Sequence, residues 1–226
     1  MTARAQAPIG VFGGTFDPIH YGHLRTGYEL LKSLELGEVR YLPCAEPAHR
    51  GRPVASGKVR LEMVSAALAG QPGLVADDRE LRRGGSSYSV DTLLDMRREF
   101  PDCTLCLIVG MDAFLGFPAW HRWRELFDLA HVIVARRPGW AAEMPDLLKA
   151  VLEDRETVNT GDLHQARAGC IYIHTATQLE ISSTAIRKMT AAGEEPRFLV
   201  PDSVCEIIKQ SGCYSSLSTT KGKAFD

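Results

Sequence analysis

The sequence predicts an α/β protein with a Rossmann-like, doubly wound and mainly parallel sheet that carries helices on both faces. Two observations support this prediction. Short apolar runs alternate with longer amphipathic segments along the chain, and this alternation is typical of repeated βαβ units. The apolar runs are continuous, as expected for strands that are buried on both faces.

Six strands and seven helices follow from this pattern. The predicted strands are Ile9–Phe12, Val39–Pro43, Leu74–Ala76, Leu105–Val109, His131–Ala135 and Ile171–His174. The predicted helices lie at about His20–Leu34, Lys58–Ala69, Ser89–Arg98, Trp123–Asp128, Pro145–Leu152, Ser183–Ala191 and Asp202–Gln210. We expect a single domain over residues 1–213, followed at 214–226 by a disordered tail rich in Ser, Thr and Lys.

Composition and charge exclude several classes of protein. The chain has 226 residues, of which 45% are hydrophobic, and this supports a sizeable core. Its net charge of −2 argues against general nucleic-acid binding, so any affinity for phosphate groups must be local. No run approaches the ~18 apolar residues that a membrane helix needs, and residues 1–8 lack the apolar core of a secretory signal. We therefore expect a cytoplasmic protein with no membrane partner, and a homo-oligomer stays open.

The six cysteines are scattered, at positions 44, 103, 106, 170, 205 and 213. In a cytosolic chain they are expected as reduced thiols. Cys103 and Cys106 form a Cys-x-x-Cys, which can carry redox or metal chemistry. Here the pair lies at the start of an apolar strand without a second pair of ligands at metal spacing. We therefore expect both to be core residues.

Residues 13–23 are the most informative segment for function. They read GGTFDPIHYGH and directly follow the first predicted strand. Glycines allow a backbone to approach a ligand closely, and a helix N-terminus offers N–H groups and partial positive charge to an anion. His20 and His23 add two imidazoles beside that terminus. Since no Gly-x-Gly-x-x-Gly fingerprint and no P-loop lysine is present, we expect a polyphosphate site that uses histidines and arginines instead.

The start of the helix after this turn has two interpretations. Asp17 is a good N-cap and Pro18 suits the first helical position, which places both histidines on one helix face. Alternatively, the helix begins at Tyr21, and His20 then lies just before the terminus, directed toward the same ligand.

Residues 180–187 form a second candidate anion site, with the sequence EISSTAIR. Ser182 or Ser183 can cap a helix, and Arg187 then lies about one turn inside it. Taken alone, the segment also fits an ordinary cap followed by a solvated arginine.

These segments resemble signatures of the nucleotidyltransferase superfamily, and roughly residues 9–210 resemble the bacterial nicotinate mononucleotide adenylyltransferases. Residues 20–23 are similar to the His-x-Gly-His signature, and residues 181–187 to the Ile-Ser-Ser-Thr-x-Ile-Arg signature. The resemblance implies catalytic roles for His20, His23 and Arg187. The residues that it implies for ATP are Gly13, Gly14, Thr15, Phe16, His20, His23, Gly110, Asp112, Ile181, Ser182, Ser183, Thr184 and Arg187.

The same resemblance implies a site for nicotinate mononucleotide. Residues 86–94 are similar to the family's Ser-Tyr-Thr-x-Asp-Thr-Leu, with Ser89 where threonine is usual. The nicotinate carboxylate would bind to the backbone N–H groups of Tyr88 and Ser89. Trp120 would stack on the pyridine ring. The implied binding residues are His49, Arg50, Tyr88, Ser89, Asp112, Trp120 and Arg137. For Arg137, a turn with a surface arginine is the competing interpretation, and Ala48 replaces a proline of the family's basic loop.

The implied reaction transfers the adenylyl group of ATP to nicotinate mononucleotide and releases deamido-NAD and pyrophosphate. Positioning and charge stabilisation carry such a transfer, so no covalent intermediate is expected. Mg²⁺ is expected with ATP, without a dedicated protein metal site. The alternatives are another nucleotidyltransferase (a phosphopantetheine adenylyltransferase or a cytidylyltransferase), a preference for nicotinamide mononucleotide, and a non-catalytic nucleotide sensor.

Overall fold

The computed structural model describes residues 7–47, 51–136, 144–177 and 179–215. Nine strands lie in this part of the chain. They are β1 (Ile9–Gly14), β2 (Glu38–Pro43), β3 (Glu46–Pro47), β4 (Leu74–Ala76), β5 (Ser86–Ser87), β6 (Leu105–Gly110), β7 (His131–Arg136), β8 (Glu156–Thr157) and β9 (Ile171–Thr175).

Seven of these strands form one parallel sheet in the order β4-β2-β1-β6-β7-β9-β8. The chain winds outward from β1 through β2 to β4, and then crosses to β6 and winds the other way. The fold class predicted from the sequence is thereby confirmed, and the winding direction reverses between β1 and β6. Ligands of open α/β sheets bind outside the carboxyl ends of the strands at such a switch point.

Ten α-helices surround the sheet in the described part of the chain. They are α1 (Tyr21–Ser33), α2 (Gly57–Leu68), α3 (Arg79–Arg83), α4 (Ser89–Glu99), α5 (Met111–Leu115), α6 (Leu126–Leu129), α7 (Asp146–Arg155), α8 (Asp162–Gln165), α9 (Ser183–Ala191) and α10 (Asp202–Ser211). Two short 3₁₀ turns, Phe117–Ala119 and Trp123–Glu125, precede α6.

Both faces of the sheet are buried, and the central strand β6 shows this most clearly. Its Leu105, Leu107 and Val109 point into one apolar cluster, together with side chains of α4, α6 and α7. The alternate residues Cys106 and Ile108 point into a second cluster, with side chains of α1, α2, α9 and α10. Because successive strand residues face opposite ways, a strand covered on both sides must be apolar throughout, as the sequence pattern indicated.

All six predicted strands and the long predicted helices are present, with ends shifted by a few residues. The exception is the helix predicted at 123–128, which divides into a 3₁₀ turn and the four-residue α6. The strands and helices that the sequence did not indicate are all short, from two to five residues: β3, β5, β8, α3, α5, α8 and the 3₁₀ turn Phe117–Ala119. Elements of this length carry too few residues for a periodic pattern.

Tyr214 corrects the predicted boundary of the C-terminal tail. We predicted disorder from this residue onward, but its side chain is fully buried. Its hydroxyl donates to Oδ1 of Asp17 at 2.7 Å. A long aromatic ring with a satisfied hydroxyl is stable in a core, so the packed part of the chain extends past Cys213. Residues 216–226 lie outside the described part.

Cys103 and Cys106 are both buried, and neither forms a disulfide within the described residues. The Cys-x-x-Cys therefore consists of two core residues, as expected. Among the helices of the described residues, none has the length and apolar character needed to cross a membrane.

Candidate active site at the switch point of the sheet

The carboxyl ends of β1 and β6 form the crevice at which the predicted motifs meet. The last paired residues of these strands are Val11 and Leu107, although both strands continue three residues further, to Gly14 and Gly110. The strands thus separate toward their carboxyl ends. Gly13 and Gly110 are exposed there, and a Cβ on either residue would meet no atom within 4 Å, so a ligand can approach both backbones.

In the turn after β1, the side chain of Phe16 packs against the backbone of Gly14. Phe16 is buried and adopts a left-handed backbone conformation with φ 47°. Its ring lies so close to Gly14 that a Cβ on Gly14 would come within 2.9 Å of the ring. A non-glycine residue rarely adopts positive φ, so surrounding contacts must hold this conformation.

Asp17 does not cap the helix, and the first of our two interpretations of the helix start is wrong. Helix α1 begins at Tyr21 with His20 in the N-cap position. The Asp17 carboxylate is instead turned into the protein, where it accepts hydrogen bonds from the N–H groups of Val54 and Ala55 at 2.8 and 3.0 Å. With Tyr214 as a third donor, the carboxylate gains more from these buried partners than from the helix terminus.

His20 and His23 stack on each other. Their ring centroids are 3.7 Å apart and the planes are inclined by 24°. Gly22 leaves room for this arrangement, because a Cβ there would lie 3.0 Å from the His20 ring. Phe16 meets the His23 ring edge-on at 5.1 Å, so the aromatic residue beneath the turn also supports the histidine pair.

Burial keeps both histidines neutral at physiological pH. Burial lowers the pKa of His20 to about 4. Burial, and then the neighbouring His20, lower the pKa of His23 well below its ordinary value. The Nδ1 atoms of both rings are buried and have no hydrogen-bond partner among the described residues. Buried polar atoms without hydrogen-bond partners are uncommon. A bound anion would supply partners to the two Nδ1 atoms through its oxygen atoms or an acidic proton.

Helix α9 brings the second signature directly against the first. The Ser183 hydroxyl donates to the Pro18 carbonyl at 2.9 Å, and the Arg187 guanidinium donates to the Asp17 carbonyl at 2.7 Å. The same guanidinium also reaches the hydroxyl of Thr184 at 3.3 Å. These bonds join residues about 165–170 positions apart in the chain, so the arginine is not merely solvated, which was the competing interpretation.

Some of the N–H and hydroxyl groups that the sequence assigned to an anion already donate hydrogen bonds to other groups of the protein. The first N–H of α1, from Tyr21, donates to the Leu199 carbonyl at 3.1 Å. The hydroxyl proton of Ser183 points to Pro18. The two helix termini therefore present fewer free donors to a ligand than two isolated helices would.

Gly110 and Asp112 occupy the opposite wall of the crevice. Gly110 is the N-cap residue of α5, and Asp112 lies exposed in its first turn. Trp120 follows the 3₁₀ turn and packs at 4.7 Å against the buried Phe117. Its indole is half-buried, so one aromatic surface is fixed while part of the ring stays accessible.

Tyr88 and Ser89 lie at the start of α4, with Tyr88 in the N-cap position. The Tyr88 ring contacts His121, with centroids 4.6 Å apart, and this contact brings the Ser-Tyr-Ser segment next to the Trp120 loop. No motif in the sequence singled out His121. Its position directly after Trp120 was the available signal.

A two-stranded parallel sheet links the Ser-Tyr-Ser segment to the chain after β2. Strand β3 pairs with β5 through Glu46–Ser86 and Pro47–Ser87, and the Ala45 N–H donates to the Ser87 hydroxyl at 2.9 Å. The predicted basic loop follows immediately after β3. His49 and Arg50 of that loop, and Arg137 after β7, lie outside the described residues.

Arg60 is the other charged residue at this edge that sequence reasoning missed. It is 1% exposed and donates to the Thr15 carbonyl at 2.7 Å and the Cys44 carbonyl at 2.6 Å. No local pattern distinguishes it from other arginines on amphipathic helices. In the described part of the chain, no group of three or more His, Cys, Asp or Glu side chains is placed to hold a metal ion.

Comparison with known proteins agrees with this geometry. A family model described as cytidylyltransferase-like matches residues 11–189. A relative from Methylococcus capsulatus, named "probable nicotinate-nucleotide adenylyltransferase", is 50% identical over 208 residues, which cover 92% of this chain and 99% of the relative. This chain belongs to the nicotinate-nucleotide adenylyltransferase family. A relative of the same name from Acidithiobacillus ferrooxidans is 44% identical and covers 96% of this chain and all of its own length.

Solved structures of the family share the fold. The nicotinic acid mononucleotide adenylyltransferase of Plasmodium falciparum, solved in complex with NaAD, superposes with a TM-score of 0.69 at 15% identity. The superposition covers 92% of this chain and 98% of that one. This superposition shows the shared fold. The curated relatives and the family model confirm the family resemblance seen in the sequence, and the enzyme is a nucleotidyltransferase of NAD biosynthesis.

Proposed function

We propose that this enzyme joins ATP and nicotinate mononucleotide at the crevice between β1 and β6. A 5′-phosphate oxygen of the mononucleotide forms a bond to the α-phosphorus of ATP, while the bond from that phosphorus to the bridging oxygen breaks. Deamido-NAD forms and pyrophosphate leaves. The observation that carries the proposal is the direct contact of the two signature segments, through the bonds from Arg187 to Asp17 and from Ser183 to Pro18.

The polyphosphate lies between the two signatures in this proposal. The glycine turn brings its backbone to the phosphates, and the start of α9 faces them from the other side. The proposed ATP-binding residues remain Gly13, Gly14, Thr15, Phe16, His20, His23, Gly110, Asp112, Ile181, Ser182, Ser183, Thr184 and Arg187. Gly110 and Asp112 meet a nucleotide sugar, and Arg187 holds the departing pyrophosphate from its fixed position on α9.

His20 and His23 stabilise the charge that develops at the α-phosphate. Burial keeps both rings neutral before the substrate binds. A phosphate that reaches the orphaned ring nitrogens favours the protonated form, so binding raises the pKa of each ring. The histidines then donate charge-assisted hydrogen bonds, which are about twice as strong as neutral ones.

The mononucleotide lies on the side of Tyr88 and Trp120. Backbone N–H groups of Tyr88 and Ser89 at the start of α4 bind the nicotinate carboxylate, where the helix terminus favours a negative charge. Trp120 stacks on the pyridine ring, and Asp112 reaches a sugar. His49, Arg50 and Arg137 are proposed to supply positive charge to the mononucleotide.

Mg²⁺ enters with ATP as part of the substrate. Bound to phosphate oxygens and water, it would supply positive charge to the polyphosphate. This chain contributes orientation and hydrogen bonds, and no side chain serves as a covalent nucleophile because the attacking phosphate is itself an anion. A reducing cytoplasm suits the six cysteines, which form no disulfide within the described residues.

Pyrophosphate release from Mg-ATP tests the proposal. Nicotinate mononucleotide is compared with nicotinamide mononucleotide and with a reaction that contains no acceptor. We expect release that depends on the acid. A faster reaction with the amide would keep the transfer but contradict the role of residues 86–92. ATP binding without turnover of either mononucleotide would contradict the proposed reaction and favour a nucleotide sensor.

A further inference from the structure

Arg60 is buried beneath the glycine turn, where its guanidinium donates to backbone carbonyls. Its side chain is 1% exposed, and among the described residues no carboxylate lies within 4 Å of its guanidinium. A buried charge without a counter-charge is costly for folding. An apolar side chain on the same face of α2 would fill the volume without that cost, so the guanidinium must serve the backbone groups that it contacts.

Those backbone groups belong to three separate segments. The guanidinium donates to the Thr15 carbonyl after β1 at 2.7 Å, to the Cys44 carbonyl after β2 at 2.6 Å, and to the Ala55 carbonyl before α2 at 3.2 Å. A weaker bond reaches the Ala45 carbonyl at 3.4 Å. One planar group with five fixed donors therefore sets the relative positions of three loops.

The bond to Thr15 determines the direction of a peptide group in the phosphate turn. In a planar trans peptide the C=O and N–H point in opposite directions. Because the Thr15 carbonyl points down to Arg60, the N–H of Phe16 points away from Arg60. The same bond holds the residue immediately before the left-handed conformation of Phe16, and the Phe16 ring supports His23 at 5.1 Å.

We propose that Arg60 is a positioning residue for adenylyl transfer: it holds the Thr15 and Cys44 carbonyls on the protein side of the turn, and thereby directs the turn and His23 toward the polyphosphate. Its positive charge also lies beneath the phosphates in a medium of low dielectric constant, where charges act strongly. This inference rests on the proposed function, because the positioned groups are those that meet ATP.

The chain offers a matched control in Arg97. Arg97 also donates to backbone carbonyls, those of Cys103 at 2.5 Å and Leu129 at 2.9 Å. These residues precede β6 and β7, so Arg97 ties loops at the amino ends of the strands, opposite the crevice. If Arg60 only donated hydrogen bonds to backbone carbonyls, substitutions of Arg60 and of Arg97 should have the same effect on activity.

The experiment compares R60K and R60M with R97K and R97M in the full-length chain. Lysine keeps the charge but lacks the planar fork, and methionine removes both. We expect kcat/KM for ATP to fall at least tenfold in R60K and at least a hundredfold in R60M, with the KM for the mononucleotide unchanged within twofold. The Arg97 variants should lose thermal stability to a similar extent and keep kcat/KM within twofold of the parent.

Binding of Mg-ATP alone, measured by calorimetry, separates this proposal from the proposed reaction. If the parent protein turns over neither mononucleotide, the reaction is overturned, but weaker Mg-ATP binding by R60K with normal binding by R97K still supports Arg60. If folded R60K binds Mg-ATP as the parent does and retains its kcat/KM, the positioning role is overturned. The same holds if the Arg97 variants lose activity in proportion. R60K keeps the buried charge and most of the volume, so it provides the test even where R60M fails to fold.

Discussion

At the scale of single residues, the site depends on side chains whose ionisation the fold has changed. A histidine on a protein surface usually has a pKa near neutrality. Here burial under the aromatic residues of the turn keeps the rings of His20 and His23 neutral. In the proposed function, both rings therefore become protonated only when a phosphate binds beside them.

His23→Ala should reduce kcat by about 10²–10³, because one aligned donor to the developing charge is typically worth that much. Steady-state kinetics with both substrates saturating measures the effect. His164→Ala is the matched control, since His164 lies on α8 and its Nε2 hydrogen-bonds to the Leu34 carbonyl after α1. A His23→Ala enzyme with more than a tenth of the parental kcat would contradict the proposed role.

His20→Asn should change how stability depends on pH. The folded-state pKa of His20 is about 4, below the ordinary value of an unfolded chain, so the unfolded state binds a proton first as the pH falls. Stability is therefore complete above about pH 6.5 and is lost as the pH falls toward 4, by about 2 kcal/mol at pH 5 for one such group. Urea unfolding at pH 7 and pH 5 measures this loss.

The His20→Asn variant cannot take up that proton, so its free energy of unfolding should fall less between the two pH values. His23→Asn should act in the same direction, since the pKa of His23 is also lowered. Equal pH dependence in the parent and in both variants would show that the rings are not buried as neutral groups.

At the scale of elements, short strands that the sequence did not indicate arrange the substrate segments. Strands β3 and β5 have two residues each. They place the Ser-Tyr-Ser segment beside the end of β2, which leads into the predicted basic loop. The hydrogen bond from the Ala45 N–H to the Ser87 hydroxyl extends this short ladder.

Ser87→Ala should raise the KM for nicotinate mononucleotide about tenfold and leave the KM for ATP within twofold. The partly buried Ala45 N–H then lacks its acceptor, and the loss of one hydrogen bond costs about 0.5–1.5 kcal/mol, which loosens the pairing of β3 with β5. Ser86→Ala, one residue earlier on an exposed position, is the control. An equal effect on both substrates would show that Ser87 supports the fold in general.

At the scale of the whole molecule, the C-terminal residues of the described chain close the core beneath the active site. Tyr214 bonds to Asp17, which lies 197 positions earlier, and the backbone carbonyl of Asp17 accepts the bond from Arg187. Asp17 thus connects the first signature, the second signature and the segment that follows α10.

Tyr214→Phe should lower the free energy of unfolding by about 1–3 kcal/mol, because Asp17 loses a buried hydrogen-bond donor. Tyr214→Ala should cost about 3–5 kcal/mol, since it also leaves a cavity. Denaturant unfolding measures both values. Tyr28→Phe, on an exposed ring, should change stability by less than about 0.5 kcal/mol. Unchanged stability in Tyr214→Phe would contradict a structural role for the Tyr214–Asp17 bond.

The sequence by itself determined the fold class, the long elements and the segments that the fold brings together at the crevice. Continuous apolar strands, helical periodicity and the GGTFDPIHYGH and ISSTAIR segments are local patterns, and local patterns can be recognised without knowledge of distant contacts. The alternative start of α1 at Tyr21 was also recognisable from the same few residues.

Only the tertiary structure decided which groups those segments contact and in which protonation state. The inward carboxylate of Asp17, the buried guanidinium of Arg60, the Leu199 carbonyl at the start of α1 and the lowered pKa values of the histidines all depend on partners far away in the chain. Burial and hydrogen bonding arise from the packing of the complete molecule. A local pattern therefore placed the histidines and the arginine at the site, and the fold determined what they can do there.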